Sequence, residues 1–218
     1  VLLGVFLLPE PLRRGFAFEY GDPTLLTAYV APFVHLSGSH LLVNLVGYAL
    51  VVPTVYALSV LSDTRGRFWI VFVTFVVVFP PLLSALNLAI PRPSYAVGFS
   101  GVVLAFVGCL PIAIADYLEV HFDVGPREMV APTTFFLGLA LIAVLSVQSV
   151  VPANATVLLG TAGLVVATLL SALLFWIAAL DEGRFRPAAR ATTRLPGYLE
   201  LATAAGILFV GIQFVAFP

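Results

Sequence analysis

Apolar residues run along this chain in long unbroken blocks, not in alternation with polar ones. Six blocks cover Ser39–Leu61, Phe68–Ile90, Ala96–Ala115, Val130–Val151, Ala155–Leu180 and Tyr198–Phe217. Each is near the roughly 20 residues that a tilted helix needs to cross about 30 Å of hydrocarbon. Blocks of this length without a two-residue period predict helices, because a lone strand in lipid leaves its backbone groups unpaired. Pro53, Pro80, Pro81 and Pro111 fall inside blocks, where a membrane bundle tolerates kinks. Residues 1–8 are apolar but too short to span, and no basic region or cleavage site accompanies them. They read as the remnant of a truncated helix, not as a signal peptide. Segment 9–38 mixes Pro, Arg, Glu, Tyr and Phe. It is neither a flexible linker nor a spanning helix, and its amphipathic, aromatic character suits the membrane interface.

Composition sharpens this picture. Of 218 residues, 61% are hydrophobic and 10% charged, far from the near-half apolar and quarter charged of a soluble domain. An ordinary soluble domain and a disordered chain are both excluded. The expected fold class is an all-α integral membrane protein, with six transmembrane helices plus the N-terminal remnant, in a single domain over 1–218. A net charge of −1 offers no field for nucleic acid. The single Cys109 excludes an internal disulfide and a cysteine-based metal cluster; its ordinary role is a small core residue.

All ten cations are arginine. Arg65, Arg67, Arg127, Arg184, Arg186, Arg190 and Arg194 flank one side of the blocks, and Arg13, Arg14 and Arg92 the other. The positive-inside rule therefore places loops 62–67, 116–129 and 181–197 in the cytoplasm and segment 9–38 outside. A prokaryotic cell membrane is the expected location. Phe68, Trp69 and Trp176 fit interfacial anchoring or simple packing.

Polar residues within or beside the blocks are the informative ones. His40 and Asn44 are four apart and share one helix face, with His35 just upstream. Both can donate hydrogen bonds, as interhelical glue or toward a reacting group. A metal site would need a third strong ligand, and none lies nearby. Gly98-Phe99-Ser100-Gly101 places a serine between glycines near a helix start, where free amides favour a developing oxyanion; small residues there can equally serve packing. Gly101, Ala105 and Gly108 form one stripe of small residues, and Gly160, Gly163, Ala167 and Ser171 another. Such stripes let backbones approach closely, so these two helices are expected to touch, with Ser100 near residue 160.

Taken together, these residues resemble the rhomboid family of intramembrane serine proteases. The resemblance runs through Leu26-Thr27 and the aromatic stretch to Phe33, then His35, His40 and Asn44, then Gly98-Phe99-Ser100-Gly101-Val102-Val103. It implies a bundle of six or seven helices around a cavity open to the outside, and an endopeptidase acting on transmembrane helices of other membrane proteins. It implies Ser100 as nucleophile, His40 and Asn44 as oxyanion donors with the Ser100 amide, and His35 as a structural tie. Gly98, Gly101, Gly160 and Gly163 would be structural neighbours of the site. No metal or cofactor is implied; the partners would be transmembrane segments and the lipid bilayer. Segment 9–38 would be the family's membrane-embedded first loop, and the block 130–151 the mobile wall beside which a substrate enters.

One element of the pattern is missing. The family's base is a histidine in a motif like H-x-x-G-L, and here the stretch reads Gly160-Thr161-Ala162-Gly163-Leu164. Neither Gly160 nor Thr161 can take a proton near neutral pH. His121 lies 21 residues beyond Ser100, roughly 30 Å away along a helix; Asp116 and Glu119 fail in the same way, and Glu200 starts the last helix on the cytoplasmic side. His40 could serve only by giving up its donor role. Two expectations follow. One is an intramembrane serine endopeptidase with an impaired base, and the other a pseudoprotease that binds membrane clients without cleaving them.

Overall fold

The structure is a computed structural model that describes residues 1–88, 95–122, 127–149, 155–181 and 196–216. The protein is mostly helical. A short helix α1 (Leu2–Phe6) and a second, α2 (Glu10–Gly15), lead to strand β1 (Phe18–Glu19), helix α3 (Leu25–Val30) and a 3₁₀ turn at Ala31–Phe33. The long elements follow: α4 (Gly38–Leu61), α5 (Arg65–Val73), a π turn at Thr74–Val78, α6 (Phe79–Asn87), strand β2 (Tyr95–Ala96), α7 (Ser100–Phe122), α8 (Arg127–Ser149), α9 (Ala155–Asp181) and α10 (Tyr198–Ala216). Among the described residues three helices, Gly38–Leu61, Arg65–Asn87 and Ser100–Phe122, are long and apolar enough to cross a membrane, at 24, 23 and 23 residues.

The boundaries have local causes. Ser37 caps α4, its Oγ accepting the His40 amide at 3.2 Å. The block expected at Ala96–Ala115 forms a helix shifted to Ser100–Phe122. Its start is delayed because Tyr95 and Ala96 pair with β1 and Gly98 takes φ +111°. Its end is extended because Asp116, expected in a loop, is buried and ion-paired to Arg127 at 3.0 Å. The π turn precedes Pro80 and Pro81, whose missing N–H groups leave upstream carbonyls without their usual donors. Residues 1–8, read as a helix remnant, contain the five-residue α1. Arg92, Arg184, Arg186, Arg190 and Arg194, the turn 152–154 and most of loop 181–197 lie outside the described residues.

The chain divides into two compact units: Val1–Pro53 with Arg65–Val107, and Thr54–Thr64 with Gly108–Pro218. In the first, Phe106 is fully buried and meets the rings of Tyr48, Phe72 and Phe75 at 6.4, 5.9 and 5.1 Å. That cluster joins α4, α5, the π turn and α7 by aromatic packing. In the second, α8 runs against α9 and also meets α10, where Gly138 leaves room for Phe209. His121 lies between Tyr117 and Tyr198, at 4.6 and 4.8 Å, and its Nε2 is 3.0 Å from the Leu61 carbonyl. That makes it a packed, hydrogen-bonded residue at the end of α7.

Candidate active site

The site is built in the first unit from segment 9–38, the start of α4 and the start of α7. The residues ahead of Ser100 are tethered at three levels. Strand β2 pairs antiparallel with β1, Phe18 opposite Ala96 and Glu19 opposite Tyr95. The Gly98 amide donates to the Ala31 carbonyl at 3.2 Å. The Phe99 amide donates to His35 Nε2 at 3.4 Å. Ser100 is then the first residue of α7, and the Phe99 carbonyl accepts from Val102 and Val103. The first amides of a helix have no intrahelical acceptor, so the Ser100 and Gly101 N–H groups are available at the positive end of the helix dipole.

His35 organises the arrangement. It is fully buried, and its Nε2 also lies 2.9 Å from Asn44 Nδ2. A backbone N–H can only donate, so the Phe99 contact makes Nε2 an acceptor and puts the ring proton on Nδ1. Asn44 must then present its NH₂ group, which fixes its amide orientation. Burial pushes the His35 imidazole down to about 4, the adjacent His40 adds to this, and the Phe33 backbone opposes it. His40 packs edge-on to His35 at 5.1 Å and against Gly98, whose Cβ, were there one, would run into the His40 ring. Positive φ and this close approach together require glycine at 98.

Ser100 is exposed and lines a cavity of about 210 Å³. The other walls include Ala31 and Pro32, Leu83, Ser84 and Asn87 of α6, and Val97, Gly98, Gly101 and Leu104. Among the described residues no titratable side chain lines this cavity. Among the described residues Ser100 Oγ has no hydrogen-bond partner, and no group of three potential metal ligands gathers. Gly101 is close-packed, since a Cβ there would strike Leu83. Gly108, Gly160 and Gly163 are not: a Cβ at each would meet no heavy atom within 4 Å.

Comparison with known proteins yields no match: no protein-family model, no curated protein and no solved structure.

His35, His40, Asn44, Gly98, Ser100 and Gly101 thus come together in one unit, while Gly160 and Gly163 belong to the other. Asn44, taken as an oxyanion donor, spends one N–H on His35 and is 3% exposed. Three residues were missed. Ser84 and Asn87 are three apart on one helix face, a pattern visible in the sequence. Arg13 donates to the His35 carbonyl 22 residues away, and nothing in the sequence signals that bond.

Proposed function

We propose that the chain is a rhomboid-like intramembrane serine endopeptidase with an impaired base, acting on transmembrane segments of other membrane proteins through Ser100. The observation that carries this reading is the placement of Ser100: first residue of a 23-residue helix, exposed, and facing a cavity behind a triply tethered loop. Attack by Ser100 Oγ on a substrate carbonyl would form an ester and break the peptide C–N bond, the Oγ proton passing to the departing amine; water would then hydrolyse the acyl-enzyme, releasing the acid and restoring the serine hydroxyl. The developing oxyanion would meet the Ser100 amide and the positive helix end; the family resemblance adds His40 and Asn44 as donors, which would have to turn toward the cavity, since neither is among its described walls and Asn44 is bonded to His35. Removing the histidine of a serine–histidine unit costs on the order of 10⁶-fold in kcat, so turnover is slow. In this reading the bundle has six spanning helices and the remnant, in a prokaryotic cell membrane. Loops 62–67, 116–129 and 181–197 are cytoplasmic, and the Ser100 side is outside.

A second reading, the pseudoprotease that holds membrane clients, draws on one observation: among the described residues no titratable side chain lines the Ser100 cavity. A fluorophosphonate probe separates the two. Labelling of the native protein that is lost in Ser100→Ala supports the hydrolase. A folded protein that is not labelled above the Ser100→Ala background leaves the client-binding reading and removes the first.

A further inference from the structure

We propose that Arg13 is the positioning residue that holds the Ser100 site together, a role that rests on the reading of Ser100 as nucleophile. Arg13 and Arg14 are neighbours in α2 with different surroundings. Arg14 is exposed and pairs with Glu10 of its own helix at 2.7 Å. Arg13 is half-buried and makes three contacts with two other parts of the unit, the stretch 1–8 and His35. Its Nε donates to the Leu8 carbonyl at 3.1 Å, its Nη1 donates to the His35 carbonyl, and its guanidinium lies over the Phe6 ring, 4.5 Å from the centroid. Phe6 in turn is the side chain nearest to Gly38 at the start of α4.

The His35 carbonyl is the decisive partner. His35 is where the interfacial segment turns into α4, and its ring holds both the Phe99 amide and Asn44. The ring has one tautomer that serves both donors, so its position must be held at the backbone. A planar guanidinium does this well: it binds two carbonyls from different segments while its face packs on an aromatic ring. The path from Arg13 to Ser100 is therefore short: the His35 carbonyl, the His35 ring, the Phe99 amide, then the serine. Arg13 touches no reacting atom and acts through His35.

The chain has three histidines, so the imidazole nitrogen spectrum of the purified, histidine-labelled protein reads His35 directly. The native protein is expected to show one buried imidazole protonated at Nδ1 and bare at Nε2, absent in His35→Gln. Arg13→Ala should replace that signal with averaged tautomers, Arg13→Lys should retain part of it, and Arg14→Ala should leave it intact. The His121 signal, from the other unit, serves as the folding control. If Arg13→Ala loses it too, Arg13→Gln, which keeps the stem and lacks the charge, replaces Arg13→Ala in the comparison. Fluorophosphonate labelling should fall at least tenfold in Arg13→Ala, with Arg13→Lys between. An unlabelled native protein whose His35 signal still depends on Arg13 would remove the hydrolase reading and leave the positioning role. A folded Arg13→Ala with an unchanged His35 signal would overturn the positioning role whatever Ser100 does.

Discussion

Gly98 combines two demands at one Cα: a φ of +111° and contact with the His40 ring. Either alone disfavours a side chain. Gly98→Ala is therefore expected to destabilise the protein by about 2–4 kcal/mol, from backbone strain and displacement of the ring. Thermal unfolding in detergent would measure it, and an unchanged melting temperature would show that the loop has another conformation to adopt. His35 gives a pH dependence of definite sign. Its native imidazole is held near 4, below the ordinary 6.5, so the unfolded chain binds a proton first as pH falls. Stability contributed by the neutral ring is complete above about 7 and is lost from 6.5 down to about 4, by up to about 1.4 kcal/mol per pH unit. Melting between pH 7.5 and 4.5 should show this slope, and His35→Gln should flatten it.

At the scale of elements, segment 9–38 is fastened to the long helices by few hydrogen bonds among the described residues. Helix α3 starts with a reciprocal cap, Thr24 Oγ1 accepting from the Thr27 amide and Thr27 Oγ1 from the Thr24 amide. It is tied to α6 by Ser84, which is 3% exposed and donates to the Ala28 carbonyl at 2.7 Å. Ser84→Ala leaves that part-buried carbonyl without its donor and should cost about 1–2 kcal/mol. Limited proteolysis should then cut faster between residues 20 and 30, while an unchanged rate would mean that apolar packing alone holds α3. Leu25 and Leu26 of the same helix are 91% and 63% exposed. Such exposure is costly in water and favourable in a bilayer interface.

At the scale of the whole molecule, Ser100 and Gly160 belong to different units, and only the family resemblance couples them. A built Cβ at Gly160 meets no heavy atom within 4 Å, so a larger side chain has room. Gly160→His is expected to raise cleavage of a generic transmembrane substrate by at least tenfold if a base at this position is what the chain lacks. Detection of the cleaved fragment by mass spectrometry measures it. A folded Gly160→His protein that stays inert would sink the impaired-base explanation.

Much of this molecule is local, and local features were readable. Apolar blocks gave the helices to within a few residues at most ends, because a long apolar segment pairs its backbone groups most readily within itself. The i, i+4 spacing brought His40 and Asn44 onto one face, and the glycines around Ser100 marked the close approach that Gly98 makes. The exceptions are informative. The helix expected to end at Ala115 continues to Phe122, because Asp116 is buried and neutralised by Arg127.

The sequence by itself determined the helical class, the membrane-like composition and the residues from which the site is drawn, since periodicity and hydropathy act over one or two helical turns. Only the tertiary structure decided which nitrogen of His35 carries the proton, which way Asn44 points, and that Arg13 and Ser84 hold distant carbonyls. The physical reason is shared. Each is a hydrogen bond whose other partner lies far along the chain, or is a backbone atom, and every residue carries a carbonyl and nearly every one an amide, so residue types cannot tell which of them will be met.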